Sequence, residues 1–309
     1  MTKGYQDDPT WRETQKFLPE PNQLTNQNLP DEYYLNIHGM NIHIDHYRHE
    51  NPKARLILFH GVGGNGRLLS FIALPLQRNG FEVLCPDLPL YGYSEYSGKI
   101  TYETWVDCAT EIIKHYQDQD VLKTFLFGLS AGGLLAYQAA CKSGRIAGVL
   151  VTCILDQRNM EVTKRTAKSP LVATIGKPFM RRIGGIFDGI KLPLKMIVNM
   201  KAITNNEKLA KLLMKDKKSS GVKAPISFIR TMMTPEITVE PEQFISAPFL
   251  LVHPGDDRWT DISLSRYFFD KLVCEKELKL LEGAGHFPIE SPGLEQLEVY
   301  CLAFLHRNL

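Results

Sequence analysis

Apolar and polar residues alternate with two different periods along this chain. Alternation over residues 33–47, on either side of Gly39, predicts a hairpin of half-buried antiparallel strands. Unbroken apolar runs such as residues 55–60 and 146–155 predict buried central strands, and runs with helical spacing such as 101–117 lie between them. Strands that alternate with helices predict an α/β fold, a mostly parallel sheet with helices on both faces.

The alternation stops at residues 156–245 and resumes with a predicted strand over 248–253. Residues 156–245 hold 17 basic and 8 acidic residues, a balance of +9, whereas the rest of the chain holds 19 basic and 26 acidic residues, a balance of −7. This stretch is therefore predicted to be an insertion between two strands of one sheet. The sheet-forming core is predicted over residues 33–155 and 246–309, and residues 1–32 are predicted to form an N-terminal arm.

Composition argues against several classes of protein. The 309 residues are 44% hydrophobic and 23% charged, which is typical of a globular chain. No apolar run reaches the ~18 residues of a membrane-spanning helix, and the first residues lack the apolar segment of a secretory signal, so a cytoplasmic location is expected. The six cysteines show no metal-site spacing and the basic residues form no aromatic-interleaved motif. Neither a metal nor a nucleic-acid partner is therefore predicted.

A G-x-S-x-G motif occupies residues 128–132, between a predicted strand and a run with helical spacing. In this context a sharp strand-to-helix turn lifts the Ser130 hydroxyl above the sheet edge, and the flanking glycines leave room for that turn. Free N–H groups at the start of the following helix can stabilise developing negative charge. Ser130 is therefore a candidate nucleophile, and the alternative is a glycine-bracketed serine at an ordinary turn.

A nucleophilic serine needs a base, and that base needs an acid to orient it. His286 follows the last predicted strand in a glycine-rich loop, and Asp256 and Asp257 follow the strand that ends at His253. Nucleophile, acid and base then all fall at the carboxyl ends of predicted strands, in the chain order expected of α/β-hydrolases. The residues alone leave both aspartates open as the acid.

A glycine-rich loop over residues 60–64 follows the third predicted strand and has the pattern H-G-x-G. Such a loop can supply a backbone N–H, here that of Val62, which together with the N–H of Ala131 would hold an oxyanion. A phosphate-binding loop is the other interpretation, but the segment matches neither G-x-x-x-x-G-K-[ST] nor G-x-G-x-x-G.

With these motifs in this order, the chain resembles the α/β-hydrolase superfamily. Within it, the chain is similar to the monoacylglycerol lipase and lysophospholipase group of serine hydrolases, over residues 33–155 and 246–306. The resemblance implies Ser130 as nucleophile, His286 as base and Asp257 as acid. It also implies the backbone N–H groups named above as the oxyanion donors and the inserted stretch as a helical cap.

The chain departs from the family pattern at two places. Residues 87–94 match the family's D-x-R-G-x-G-x-S motif only in part. Pro254 stands where the family has a glycine, which keeps Asp256 as an alternative to Asp257.

These features predict a serine hydrolase that cleaves carboxylic esters with lipid-like acyl groups, without a metal or organic cofactor. The predicted partners are a small-molecule or lipid-like ester and, through the basic insertion, an anionic membrane surface. Two kinds of alternative remain. One is another hydrolase on this scaffold (thioesterase, amidase, peptidase or C–C bond hydrolase), and the other is a catalytically silent binding module. An intact Ser/Asp/His set argues against the silent module.

Overall fold

The computed structural model of the chain describes residues 3–8, 10–171, 173, 174, 176, 178 and 184–309. Its strands are β1 (Asp31–Ile37), β2 (Met40–Tyr47), β3 (Arg55–Phe59), β4 (Glu82–Pro86), β5 (Thr124–Gly128), β6 (Ile146–Val151), β7 (Lys191–Pro193), β8 (Lys223–Pro225), β9 (Phe249–Pro254) and β10 (Lys276–Leu281). Its described α-helices are α1 (Thr10–Gln15), α2 (Ser70–Arg78), α3 (Tyr102–Gln117), α4 (Ala131–Ser143), α5 (Met160–Thr166), α6 (Glu207–Lys215), α7 (Ile226–Met233), α8 (Ile262–Phe269) and α9 (Gly293–Asn308).

Eight strands form one sheet in the order β1-β2-β4-β3-β5-β6-β9-β10. Strand β2 pairs antiparallel with both β1 and β4, and the remaining neighbours run parallel to one another. The predicted mostly parallel α/β fold is therefore confirmed. Because the strands from β3 to β10 within this sheet are parallel, their carboxyl ends meet along one edge, where the chemistry of such folds is found.

The central strands are buried because helices cover the sheet. Every residue of β3 and of β5 is buried, as an unbroken apolar sequence requires. Helices α2 and α9 pack against each other and against the sheet, and α3 and α4 form a second such pair. Thr101 caps the N-terminus of α3, since its side chain accepts from the Thr104 N–H in a capping box, and the helix buries Trp105 against the core.

The stretch between β6 and β9 contains α5, α6 and α7, together with β7 and β8, which pair with each other in a separate small sheet. Helix α6 buries Leu209 and Leu213 and leaves Lys208, Lys211 and Lys215 exposed. Within the described residues, this stretch adds no strand to the main sheet. None of the helices described in the chain combines the length and the apolar character that crossing a bilayer demands.

The N-terminal residues pack onto the core before β1 begins. The rings of Tyr5 and Trp11 both lie 4.6 Å from the guanidinium carbon of Arg67, at cation–π distance. The Tyr5 hydroxyl also donates to Asp87 Oδ1 over 2.9 Å. The arm therefore covers charged groups that would otherwise face solvent beside β2 and β4.

Candidate active site

Ser130 lies at the sharp turn between β5 and α4. Its backbone has φ of 57° and ψ of −123°, a conformation that non-glycine residues rarely adopt. Two residues before and two residues after Ser130 the turn leaves no room for a side chain, because a Cβ on Gly132 would collide with the Phe59 carbonyl oxygen and one on Gly128 with the Gly132 carbonyl oxygen. The glycines of the G-x-S-x-G motif are thus required by close backbone contacts, and the turn holds the Ser130 side chain at the sheet edge.

Ser130, His286 and Asp257 form a continuous line of hydrogen bonds. The Ser130 hydroxyl donates to His286 Nε2 over 2.8 Å, and His286 Nδ1 donates to Asp257 Oδ2 over 2.8 Å. Because an ionised carboxylate only accepts, the proton of the neutral imidazole is assigned to Nδ1, which leaves the lone pair of Nε2 facing the serine. The structure thus brings together the three side chains that the sequence predicted as nucleophile, base and acid.

Asp257 lies in the loop after β9 and is held by groups on both of its oxygens. Its Oδ1 accepts from the backbone N–H groups of Trp259 and Thr260, each over 2.8 Å, and its Oδ2 also accepts from the Thr260 hydroxyl over 2.7 Å. Burial alone would raise the pKa of Asp257, but His286 and these donors outweigh it and lower the pKa to about 2. The neighbouring Asp256 is exposed, and the structure brings only Asp257 to His286.

His286 is buried in the loop after β10. The ring of Trp259 lies 4.7 Å from its imidazole ring, centroid to centroid. The next residue, Phe287, donates its N–H to the Ile203 carbonyl over 3.1 Å, which joins this loop to the insertion. The loop that carries His286 therefore contacts both the loop after β9 and residues of the insertion.

The glycine-rich loop predicted to supply an oxyanion donor, here taken as residues 60–66 and called the oxyanion loop, packs directly against the Ser130 turn. A Cβ on Gly61 would lie 2.8 Å from the Leu129 carbonyl oxygen, so only glycine fits there. His60 holds the loop: its Nδ1 donates to the Gly61 carbonyl over 2.8 Å, and its Nε2 accepts from the Leu88 N–H over 3.0 Å. Burial lowers the pKa of His60 to about 4, so this histidine is a neutral structural group.

Both predicted oxyanion donors lie beside the serine. Val62 and Ala131 line the same pocket as Ser130. The N–H of Ser130 itself donates to the Thr152 hydroxyl over 3.2 Å. Val62 and Ala131 thus lie beside the serine in the same pocket, and their role as oxyanion donors stays a prediction.

Asp87, at the end of β4, organises the far end of the oxyanion loop. Its carboxylate accepts from the N–H groups of Gly66 over 2.7 Å and of Tyr93 over 2.8 Å. A Cβ on Gly92 would collide with this carboxylate, which explains the glycine of the partial motif at residues 87–94. Burial would raise the pKa of Asp87, but the ion pair with His43, whose Nδ1 lies 3.1 Å from Asp87 Oδ2, and these N–H groups lower it.

Two neighbours of the site were missed by the sequence analysis. Thr260 and Thr152 contact Asp257 and Ser130 through their hydroxyl groups. Neither belongs to a motif, and their proximity depends on how the loops after β6 and β9 fold. Only their nearness in sequence to predicted strand ends could have signalled them.

A possible cation site lies elsewhere, beside β2. Ligand atoms of Glu32, His43 and Asp45 lie within 4.8 Å of one another. Arg67 donates to both carboxylates, over 2.9 Å in each case, so a positive charge of the chain itself already occupies the centre of this group. The geometry therefore favours an internal ion-pair cluster over a metal site.

An apolar pocket opens beside Ser130 and extends beneath the insertion. Its empty volume, open mouth included, is about 880 Å³. Its lining comprises Val62, Tyr102, Ser130, Ala131, Leu134, Leu155, Gln157, Thr163, Thr166, Ala167, Leu194, Ile197, Val198, Ile229, Met232, Met233, Trp259 and Thr260. A smaller pocket of about 360 Å³ lies on the other side of Ser130, against His286 and the oxyanion loop. Ser130 thus lies between two compartments of unequal size.

A hydroxyl, an imidazole and a carboxylate joined in a line at the carboxyl edge of a mostly parallel sheet define the class of α/β-hydrolases. Comparison of the sequence with family models agrees with this class. Residues 50–290 match the family Hydrolase_4, described as serine aminopeptidase, S33, and the chain belongs to that family. The resemblance to the α/β-hydrolase superfamily is therefore confirmed.

Individual relatives share about a quarter or less of their residues with this chain. The chain is 26% identical over 267 residues to a Bacillus subtilis (strain 168) protein described as the uncharacterized hydrolase YugF, covering 84% of this chain and 92% of that one. Among solved structures, it resembles a soluble variant of monoglyceride lipase from Saccharomyces cerevisiae in complex with a substrate analogue (TM-score 0.73, 21% identity, 94% of this chain, 98% of that one).

It also resembles a monoacylglycerol lipase from Paleococcus ferrophilus (TM-score 0.68, 21% identity, 87% of this chain, 99% of that one). At these identities the two solved structures show a shared fold.

Proposed function

We propose that this chain is a serine hydrolase that cleaves carboxylic esters with lipid-like acyl groups, of the monoacylglycerol or lysophospholipid type. The observation that carries the proposal is the line of hydrogen bonds from Ser130 through His286 to Asp257, which opens onto a large apolar pocket. Hydrogen-bonded groups of this kind activate a serine that is otherwise a weak nucleophile.

In the proposed reaction, Ser130 Oγ forms a bond with the ester carbonyl carbon while its proton moves to His286 Nε2. The charged Asp257 stabilises the resulting imidazolium, and the N–H groups of Val62 and Ala131 hold the oxyanion. The bond to the alcohol oxygen then breaks as His286 returns the proton to it. A water molecule, deprotonated by the same imidazole, attacks the acyl-enzyme and releases the acid and Ser130.

The two pockets indicate where the alcohol group and the acyl chain of the ester would bind. The leaving oxygen must receive its proton from His286, and His286 lines the smaller pocket. The alcohol is therefore assigned to the smaller pocket and the acyl chain to the larger one. Met232 and Met233 in the larger pocket are flexible, apolar side chains that adapt to chains of different shape. We further propose that residues 156–245, which supply much of this lining, act as a cap.

The family description makes peptide cleavage the second candidate. An aminopeptidase has to bind the ammonium group of its substrate, and a buried ammonium needs an anionic partner. Among the described residues, no carboxylate lines either pocket beside Ser130. This lining favours an uncharged acyl chain over a peptide amino terminus.

A substrate panel tests the proposal. It comprises p-nitrophenyl esters, monoacylglycerols and lysophospholipids of several chain lengths, together with aminoacyl p-nitroanilides. We expect ester hydrolysis that depends on acyl length and is lost in Ser130→Ala. Faster cleavage of the anilides would favour the peptidase, and a folded protein that neither turns over nor reacts with a fluorophosphonate would favour a silent binding module.

We also propose that the cap contacts anionic lipid surfaces. Ile186 and Met196 are 83% and 57% exposed, and Phe187 and Ile190 are exposed with them. This apolar group lies within the stretch whose charge balance is +9. Basic residues near an anionic surface contribute about 1 kcal/mol each, and the attraction decays within a Debye length of about 10 Å at ~0.1 M salt.

Charge reversal on α6 and the loop after it tests this contact. Lys218 is not suitable, because its Nζ lies 3.4 Å from the Tyr93 ring centroid and its carbonyl accepts from the Gly92 N–H. The variant therefore changes four exposed residues to Glu: Lys208, Lys211, Lys215 and Lys217. The matched control reverses four exposed lysines of the core: Lys53, Lys114, Lys271 and Lys279.

We expect faster hydrolysis in anionic than in neutral vesicles at low salt, and loss of this difference in the cap variant only. Turnover of a small soluble ester should stay the same in both variants. Equal rates on anionic and neutral vesicles would instead make the lysines an ordinary solvated face.

A further inference from the structure

Tyr102 lies where the core meets the insertion, and it borders the larger pocket. Its N–H donates to the Thr231 hydroxyl of α7 over 2.8 Å. Two residues earlier, the Ile100 carbonyl accepts from the Ser227 hydroxyl over 2.6 Å. The capping box at Thr101 holds the same turn from the other side. The backbone that carries Tyr102 is thus tied to the core and to the insertion at once.

The hydroxyl of Tyr102 is buried and has no hydrogen-bond partner among the residues that the structure describes. The residue is only 2% exposed. Burial raises the pKa of the hydroxyl well above its usual range, so it stays neutral and can both donate and accept. Buried polar atoms are nearly always paired, and an unpaired one destabilises the protein that contains it.

Other polar side chains of the pocket are paired. Gln157 Nε2, for example, donates to the Thr166 hydroxyl over 3.1 Å. Phenylalanine at position 102 would fill the same space without leaving a polar atom unpaired. The hydroxyl has almost no accessible surface, and the flexible side chains of Met232 and Met233, which line the same pocket, could move to let an oxygen atom in the pocket reach it.

We propose that the larger pocket selects acyl chains that carry an oxygen atom, a hydroxyl or keto group, and that this oxygen pairs with the Tyr102 hydroxyl. The inference rests on the proposed ester hydrolysis and specifies its substrate class. A plain alkyl chain would leave the hydroxyl unpaired in the complex, whereas an oxygenated chain would satisfy it. Sites that bond a substrate hydroxyl discriminate strongly against the analogue that lacks it, for the same reason.

The test compares p-nitrophenyl decanoate with the p-nitrophenyl esters of the monohydroxydecanoic acid isomers. We expect at least one isomer to exceed decanoate about tenfold in kcat/KM, the ratio that one net hydrogen bond supplies. Tyr102→Phe should abolish or reverse this preference. Tyr47→Phe is the matched control, since the Tyr47 hydroxyl is also buried and lacks a partner among the described residues, but lies on β2 away from both pockets. It should keep the preference.

A binding measurement separates this inference from the ester proposal. In Ser130→Ala, calorimetry should show tighter binding of a monohydroxydecanoate than of decanoate, and Tyr102→Phe in that background should remove the difference. If no ester is hydrolysed, the ester proposal fails and this binding difference alone decides the inference. Equal affinity for the plain and hydroxylated acids, or a preference that survives Tyr102→Phe, would overturn it.

Discussion

The contacts of the two Asp257 carboxylate oxygens determine how an asparagine side chain would orient in the same place. Oδ1 accepts from two backbone N–H groups, those of Trp259 and Thr260, and Oδ2 accepts from His286 and from the Thr260 hydroxyl. An amide NH₂ in the Oδ1 position would face two donors, so the amide oxygen has to take that position. The NH₂ group then faces His286 Nδ1.

This orientation of the amide changes the tautomer of the His286 imidazole. Nδ1 has to accept from the amide, so the proton of neutral His286 moves to Nε2 and points at Ser130, which loses its base. The charge that stabilises the imidazolium is lost as well. Opposite charges 2.8 Å apart interact by about 6 kcal/mol at an effective dielectric constant of ~20, which corresponds to roughly 10⁴-fold in rate.

The assay is kcat for a p-nitrophenyl ester, with the melting temperature measured in parallel to show that the variant is folded. We expect kcat of Asp257→Asn to fall by about 10⁴-fold, as in other hydrolases with this arrangement of residues. The matched control is Asp256→Asn, an exposed neighbour that should stay within about twofold of the parent. If Asp256→Asn is the inactive variant, or Asp257→Asn keeps a tenth of the activity, the reasoning is refuted.

Three further predictions follow from single contacts. Ser130→Ala should lower kcat by roughly 10⁶-fold with little change in Tm, and turnover above ~1% would exclude Ser130 as the nucleophile. Thr260→Val removes a charge-assisted donor to Asp257 and should lower kcat about tenfold, with Thr260→Ser restoring it. Burial would lower the pKa of His43, but the ion pairs with Asp87 and Glu32 raise it from 6.5 to about 10. The stabilisation that protonated His43 gives the fold is therefore complete below about pH 6.5 and is lost as pH rises through 10. In denaturant unfolding, the difference in unfolding free energy between the parent and His43→Gln should shrink over that range. A difference that stays constant with pH would contradict this prediction.

The sheet and the sharp turn at Ser130 were predictable because each depends on local sequence. Unbroken apolar runs indicate parallel strands buried on both faces, and the polar residue after each run then falls on one shared edge. That edge is why Ser130 and His286, far apart in sequence, could be expected to meet. The acid was harder, because Asp256 and Asp257 both follow the strand. In the structure the two side chains point in different directions, since Asp256 faces solvent and Asp257 faces His286.

Contacts between distant loops were not predictable. Nothing in the sequence around Thr260 indicates that its hydroxyl donates to Asp257, because that contact depends on the turn that the loop makes after β9. The lining of the pocket is similar, since nothing in the sequence around Met232 and Met233 indicates what these side chains face. Likewise, the unpaired hydroxyl of Tyr102 becomes visible only once the packing around it is known.

The buried cluster beside β2 links the charge of the core to the geometry of the oxyanion loop. Its members are the carboxylates of Glu32, Asp45 and Asp87 and the cations of Arg67 and protonated His43. With His43 charged, three negative groups face two positive ones. Loss of that proton leaves two negative charges without a partner in a site where desolvation makes each one costly. Asp87 then has to rely on its remaining donors, the Tyr5 hydroxyl and the N–H groups at the end of the oxyanion loop and at Tyr93. The proton on His43 therefore supports both the fold and, through Asp87, the loop that we propose to hold the oxyanion.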